Sequence, residues 1–543
     1  MAISVFQAAA LTLVSYILWR AIRPYVVRSP LEKIAGPPSD SWWKGNFHQV
    51  FDRNGWQFHH DIVEKYGGVV KLHNLFGQEM LYVSDPLALH HIVVKDQYIY
   101  EPTHAFIRMN KMIFGEGLVS LLGERHRIQR KMMNPVFSSK HMRDLVPILY
   151  PVAHQLRDVL VRKVKKGEEE INVMKWLSLA ALEYIGQGGL GYTFEALDET
   201  KTNEYNEAIR LISLTNFNLM LYRQFIHWVD NIGTASFRRK VVELLPEPMI
   251  QTLVRIVDVI DRNSRDIYQK KKDALLQGDE AVNNQVGRGK DIMSILLQAN
   301  MKAEKEDRLP ETELLGQMNT FILAAQETTT GAISRILHLL AQNPHVQDRL
   351  REEVSTARDH GGDLDYDELM DLPYLDAVVR ETLRVYPPVS QVVRTARKDI
   401  VMPLMYPIKA VDGAEISEVP VKRNTDVIVA IIAANRSKKI WGEDAEEWKP
   451  ERWLKPMPES VSKAHMPGVY ASIMTFIGGG RACIGFKFAE MEIKMILSML
   501  LEKLAFEPGP EIYWAMSAQA SPTVKGQTGH YPQLPLKVSL VMS

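Results

Sequence analysis

Cysteine is all but missing from this chain: Cys483 is the single one among 543 residues. No intrachain disulfide can form, and no zinc site built on cysteine ligands is possible. Net charge is missing too, with 65 lysines and arginines against 65 aspartates and glutamates. A balanced chain has no field for gripping a polyphosphate backbone, which argues against nucleic acid as a partner. No internal repeat is evident. Hydrophobic residues make up 46% and charged residues 24%, proportions that exclude wholesale disorder and fibrous architectures. Length alone suggests about three or four domains of ~150 residues; the motifs below argue instead for one large domain.

Charge is also absent from Met1 to Trp19, a stretch that includes Val5, Phe6, Leu11, Leu13, Val14, Ile17 and Leu18. As a helix it would be about 28 Å long, close to the hydrocarbon core of a bilayer. Arg20, Arg23, Arg28 and Lys33 follow, opposed only by Glu32. Basic residues after the apolar run favour an uncleaved anchor over a secretory signal. The positive-inside rule then leaves everything beyond Arg20 in the cytosol. Pro24, Pro30 and Gly36-Pro37-Pro38 break any continuing helix. The expected organisation is a transmembrane anchor over residues 1–20, a basic, proline-rich hinge over 21–38 and one catalytic body over 39–543.

Strand-like runs are short: Val69–Leu72, Met80–Val83 and Asp426–Ala430. Most of the remainder has helical spacing. Leu315, Met318, Ile322, Ala325 and Thr329 recur at three and four residues within a helix expected over Thr312–Ala341. Ala489, Ile493, Ile496, Leu500 and Leu504 do the same, with Lys487, Glu490, Lys494 and Ser498 expected on an opposite, polar face. Lys270 to Lys290 reads as a surface connection. The fold class is therefore mostly α with a minor β portion. Gly186–Gly191 matches GxGxxG, but the residues before it (Trp176 to Tyr184) look helical rather than strand-like. The glycines read as a helix end, not a nucleotide-binding turn.

The lone cysteine sits in Phe476-Ile477-Gly478-Gly479-Gly480-Arg481-Ala482-Cys483-Ile484-Gly485. The glycines permit close backbone approach, Arg481 places a permanent cation two residues before the sulfur, and an amphipathic helix follows. Helix N–H groups and a nearby cation both favour thiolate over thiol. A buried structural cysteine would not account for glycines, arginine and helix start together. A nucleophilic cysteine would need a partner base that no local signature supplies.

The segment matches FxxGxRxCxG followed by Ala489, and so resembles the haem-ligand loop of the cytochrome P450 family of haem-thiolate monooxygenases. The resemblance extends from about Gly36 to the C-terminus in the family's order. It implies haem b with Cys483 as the axial iron ligand, and thiolate donation that favours O–O cleavage. Phe476, Arg481 and Gly485 belong to that cofactor loop. The implied fold is a helical lobe plus a small β-rich lobe, with haem between the Thr-bearing helix and the cysteine-loop helix.

Other segments fit the same family. Glu381-Thr382-Leu383-Arg384 is an ExxR, and Pro450-Glu451-Arg452-Trp453 follows it. The resemblance implies that Arg452 locks onto Glu381 and Arg384 in a buried network behind the haem. Ala324-Ala325-Gln326-Glu327-Thr328-Thr329 resembles the oxygen-activation segment, with Thr328 and Glu327 in proton delivery. Ala325 stands where the family usually has glycine. His126 and Arg130 share a helix face and match a Trp/Arg pair directed at a haem propionate, with His in the Trp position. Arg394 falls where another propionate arginine is found. Arg127, Lys131 and Lys487 are candidates for docking an acidic electron donor.

The resemblance is to a membrane-anchored, fungal microsomal member. It implies an O₂-dependent monooxygenase of the endoplasmic reticulum membrane, with a cytosolic catalytic domain. NADPH would act only indirectly, through a cytochrome P450 reductase. The expected substrate is a lipophilic small molecule, first a terpenoid or other secondary metabolite, with a fatty acid or xenobiotic as runner-up. Its pocket is expected to be walled by the Phe106–Leu118 loop, the helix pair near Leu211–Trp228, Phe321, Val389–Val392 and Ser521–Val524. An O₂-independent isomerase or dehydratase and a non-catalytic haem sensor are the competing functions; Thr328 and Glu327 argue against both.

Overall fold

The three strand-like runs meet in one sheet, although two of them lie more than 300 residues from the third. Val69–His73 pairs antiparallel with Glu79–Val83, which lies parallel to Asp426–Val429. Val392–Ala396 and Tyr100–Pro102 complete the five-stranded order. Alternation along each strand divides the side chains between two cores. Val69, Leu81, Val83, Val427 and Val429 face the main core. Val70, Leu72, Met80, Tyr82 and Ile428 face a smaller one, closed by Val50 and Ile62. Burial on both faces explains why these segments are nearly continuous in Val, Leu and Ile.

The computed structural model describes residues 29–541 apart from 202, 203, 284, 360 and 528–530, together with Leu11, Thr12, Val14, Ser15, Leu18 and Trp19. The expected anchor lies largely outside the described residues, as do Arg20, Arg23 and Arg28 of the hinge. Among the described residues no helix is long and apolar enough to cross a membrane. Leu31 and Ile34 are buried in the main core, and the Lys71 N–H donates to Ala35 O.

Helices make up most of the rest. Glu311–Gln342 runs unbroken for 32 residues, one residue beyond the expected span at each end. It packs against Val173–Tyr184 and against Phe486–Lys503, the helix after the cysteine. Glycines let other segments approach it: a Cβ on Gly117 would fall 2.3 Å from Gly316 O. The GxGxxG segment follows the helix Val173–Tyr184 as wide helical turns over Ile185–Leu190, and Gly191 ends it at φ +59°. No strand precedes it, so the dinucleotide reading is excluded on context.

Three expectations need correction. Lys494 and Ser498 are buried rather than on a polar face. Phe486–Lys503 is enclosed on all sides over its second half, and Lys494 is accommodated by Asp376 Oδ1 at 2.9 Å and Met370 O at 3.0 Å. Lys270–Lys290 is not one surface connection. Helix Pro248–Gln277 continues into it, and Lys271 pairs with buried Asp291 at 2.9 Å while donating to Ser294 Oγ. Finally, the Phe106–Leu118 loop is mostly helix, His104–Phe114. For the two lysines the charge reading was local, and the carboxylate that reverses it lies elsewhere in the sequence.

Glu492 is the acid most at odds with its surroundings. It is fully buried, and its carboxyl oxygens meet no donor in good geometry. Burial raises its pKa well above the usual carboxyl range, outweighing the Thr329 hydroxyl. The folded state therefore holds this proton more tightly than the unfolded chain. Its contribution to stability is full at pH below the ordinary carboxyl value and is lost as pH rises toward the raised one. Glu492→Gln does not titrate. Its melting temperature relative to the parent is expected to be higher at pH 8 than at pH 5, with a limiting slope of about 1.4 kcal/mol per pH unit. Thermal denaturation at the two pH values checks this.

Candidate active site

Between Glu313 and Ala341 the long helix is buried at nearly every position. The exceptions are Leu323, Ala324, Ala325, Glu327, Thr328 and, further along, Arg335. An interior helix with one accessible window at its middle borders a cavity. Small residues at Ala324 and Ala325 open that window. The Thr328 hydroxyl donates to Ala324 O at 2.6 Å, a common resting arrangement for a helical threonine. The helix runs without interruption through Ala325, where alanine stands in place of the family's usual glycine. Gln326 points away and donates to Ser178 Oγ at 3.1 Å and Ser178 O at 3.2 Å.

Glu327 faces a second space of mixed lining. Arg53, Lys175, Ser178, Ser517 and Gln519 border it beside the apolar Met174, Leu214, Ala520 and Pro532, in a cavity of 60 Å³, room for about four waters. Glu327 and Thr328 are adjacent in sequence, with this cavity next to the acid.

The cysteine loop is held by backbone approaches that side chains would prevent. A Cβ on Gly478 would fall 1.6 Å from Pro467 O, and one on Gly479 would fall 1.7 Å from Val93 O. Gly479 also has φ +70°. The Gly480 N–H donates to Gln97 Oε1 at 2.5 Å, and the Cys483 N–H to Phe476 O at 2.9 Å. Ile477 sits at φ +45°, a conformation that costs a β-branched residue about 1–2 kcal/mol. Phe476 packs edge-on to Tyr470. The helix begins at Phe486, three residues after the cysteine.

Cys483 is accessible, yet protein crowds it closely enough for burial to raise its thiol pKa. The Gly485 N–H and the Arg130 guanidinium act against that rise. The cation acting on the sulfur is therefore Arg130, not Arg481 as the sequence spacing suggested. Arg481 turns away to Leu121 O at 2.7 Å, and Arg130 Nη1 donates to Ala482 O at 2.5 Å.

His126, Arg130 and Arg481 share an open cavity of 490 Å³ with Gly479 and Gly480. Arg394, on the strand Val392–Ala396, is buried beside them and donates to Val393 O at 3.1 Å. Burial and then Arg481 bring the Arg394 pKa down to about 10; burial brings Arg481 itself to about 10. Burial, Arg481 and Arg130 bring His126 to about 3, so its imidazole is neutral. Glu101 is the acid acting on Arg481, and it also pairs with Arg397 at 3.6 Å. This is a cluster of cations short of anions, and it fits a guest bearing carboxylates. Together with an accessible cysteine on a glycine-lined loop, the residues fit haem. Gly485 is instructive: a Cβ there would meet only Phe137 at 3.7 Å, so the protein itself does not demand glycine at that position.

Behind the loop, Glu381 and Arg384 are completely buried. Arg384 Nε and Nη2 each donate to Glu381 at 2.8 Å. Arg384 Nη1 donates to Asn435 O and Ala445 O. Arg452 Nε donates to Glu381 Oε1 at 3.3 Å, and its other nitrogens go to Trp441 O and Asp444 O. Arg452 thus locks onto the glutamate, not onto both members of the pair. Three contributors were not foreseen. Trp453 Nε1 donates to Glu381 Oε2 at 2.9 Å, and Asn435 accepts from the Met474 N–H and donates to Thr475 Oγ1. Gln97, already noted, holds Gly480. Tryptophan at the fourth position of Pro450–Trp453 was the available signal; Asn435 and Gln97 had none locally.

Comparison with known proteins agrees with this arrangement. The Cytochrome P450 family profile matches residues 35–513. Cytochrome P450 monooxygenase 91 of Postia placenta is 50% identical, covering 97% of both chains. Ganoderic acid synthetase CYP5150L8 of Ganoderma lucidum is 42% identical over 96% of both. The cytochrome P450 monooxygenase eriI of Hericium erinaceus is 37% identical over 98% of both. The chain belongs to the cytochrome P450 family. It is an oxidoreductase of the monooxygenase class, with the mostly helical fold and minor β portion of that family.

The loop geometry separates two glycines. Gly479→Ala forces a backbone clash and is expected to give little folded protein, whereas Gly485→Ala has room within the polypeptide and is expected to fold. Soluble yield and far-ultraviolet circular dichroism of the two variants measure the difference.

Proposed function

We propose that this enzyme inserts one oxygen atom from O₂ into a lipophilic small molecule, a terpenoid or other secondary metabolite. The observation carrying the reading is the accessible Ala324-Ala325-Thr328 window, with Glu327 beside it, in a protein whose sole cysteine lies open among cations. A relative named for ganoderic acid synthesis supports the metabolite class. The family relationship and the Cys483 loop support haem b.

When bound, the haem supplies oxygen activation, with electron density pushed onto the iron by its thiolate ligand. Cys483 would be the ligand in this reading. Arg130, Arg394, Arg481 and neutral His126 would hold the haem carboxylates by charge-assisted hydrogen bonds. Phe476 and Gly485 shape the loop around the sulfur, and Ala325 keeps the window in the long helix open. Glu327 takes protons from water in the Arg53–Lys175 cavity and passes them to the Thr328 hydroxyl. Thr328 then gives up its bond to Ala324 O and donates into the window. The acid–alcohol pair favours oxygen chemistry over an O₂-independent isomerisation, and oxygen uptake in the presence of substrate and reductase tests that choice.

Electrons come from NADPH through a separate cytochrome P450 reductase. The apolar Met1–Trp19 run followed by basic residues supports a single-pass anchor in the endoplasmic reticulum membrane with the catalytic body cytosolic. Arg127 and Lys131 are exposed at the rim of the cavity that His126 and Arg130 line, and Arg127 pairs with its neighbour Glu124 at 2.6 Å. Lys487 donates to Ser139 Oγ. This surface suits an acidic donor.

Two measurements follow. Cys483→Ala is expected to abolish the CO difference band of a thiolate-ligated haem. In Thr328→Ala that band persists while product per NADPH falls by about tenfold or more. Arg127→Glu with Lys131→Glu is expected to raise the KM for reductase, and the effect shrinks as salt is added. Steady-state turnover against reductase concentration reads it.

A further inference from the structure

The short helices Met220–Arg223 and Ile226–Val229 cross the helix His104–Phe114, and the first also meets Glu204–Asn218. Their sidedness is clear. Leu221 and Tyr222 are exposed, whereas Leu219 is buried and Ile226 packs on the main core. Arg223, four residues after Leu219, is on the inward side. Its Nε is sealed from solvent and has no hydrogen-bond partner among the described residues. Burial alone lowers its pKa, with no carboxylate acting on it.

Arg108, on the helix that Met220–Arg223 meets, pairs with Asp230. No carboxylate or ring does this for Arg223 among the described residues. Arg223 is half-buried, so its Nε is closed off while the rest of the guanidinium stays within reach of an anion, and a cation in that position gains from a counter-ion.

We infer that Arg223 receives a carboxylate carried by the substrate, so that the lipophilic molecules this enzyme takes are acids. The inference rests on the active-site reading above. A planar guanidinium matches a carboxylate through two parallel hydrogen bonds. A single uncompensated cation balances a monoanion; a phosphate dianion would call for a second, and Arg108 is already engaged. The apolar neighbours Leu219 and Ile226 suit a hydrocarbon body attached to that group. The acid is then held beside His104–Phe114, the helix that touches both Met220–Arg223 and the long helix carrying the Ala324–Thr328 window.

The test compares abietic acid with methyl abietate, and oleic acid with methyl oleate, by spectral titration of the full-length holoenzyme. The expected result is a preference of about 10- to 100-fold for each acid over its ester, lost in Arg223→Gln and partly kept in Arg223→Lys. Folding of both variants is verified by their CO difference band. An acid-to-ester ratio near one in the parent enzyme, or a ratio unchanged in Arg223→Gln, overturns the inference. Weaker binding of Arg223→Gln to anionic phospholipid vesicles, with the ratio unchanged, also overturns it and assigns the arginine to a lipid headgroup. A parent enzyme lacking the CO band refutes the haem-thiolate reading and this inference with it. A normal band with a ratio near one refutes this inference alone.

Discussion

A carboxylate with no exposure to water must be solvated by the protein, and the placement of Glu381 depends on how that is done. Both its oxygens accept from Arg384, and Arg452, Trp453 and the Lys449 N–H add further donors. Arg384 in turn holds Asn435 O, while the Asn435 side chain holds Met474 and Thr475. Thr475 Oγ1 donates back to Leu383 O. The circuit closes on the segment that enters the cysteine loop. The sulfur is positioned from behind by a network whose members lose their partners together, so the pair stabilises through mutual completion rather than through one ion pair.

The front of the site has the opposite character. Arg130, Arg394, Arg481 and His126 are gathered with too little negative charge, and their pKa values are depressed by burial and by one another. Such a cluster is stable once a carboxylate-bearing guest arrives, so cofactor loading and folding are thermodynamically linked. The back of the site is complete in itself, and the front has the charge to suit a carboxylate-bearing guest.

Local pattern carried the reading of the sequence a long way. Short runs rich in Val, Leu and Ile marked three of the strands, helical spacing marked the long helix to within a residue, and the helical stretch before Gly186 ruled out a nucleotide turn. The cysteine loop and the ExxR were legible because each packs its chemistry into a few neighbouring residues. What failed was the fate of individual charges. Lys271 and Lys494 looked like surface lysines because Asp291 and Asp376, which make their burial tolerable, cannot be paired with them from sequence. Arg130, more than 350 residues before the cysteine, acts on the sulfur in place of the adjacent Arg481 for the same reason. Asn435 and Gln97 were invisible because their partners, Met474, Thr475 and Gly480, are distant in sequence.

The start of the body has a consequence for shortened versions of the enzyme. Gly36 lies against the strand Val69–His73, where a Cβ would fall 1.8 Å from Lys71 O, and Ile34 bridges to Ala410. This tail piece is a working part of the sheet region, bonded to residues in both halves of the chain. A truncation made for crystallisation or expression therefore has to be cut ahead of Leu31; trimming through the Gly36-Pro37-Pro38 boundary would strip two buried side chains and unseat the first strand.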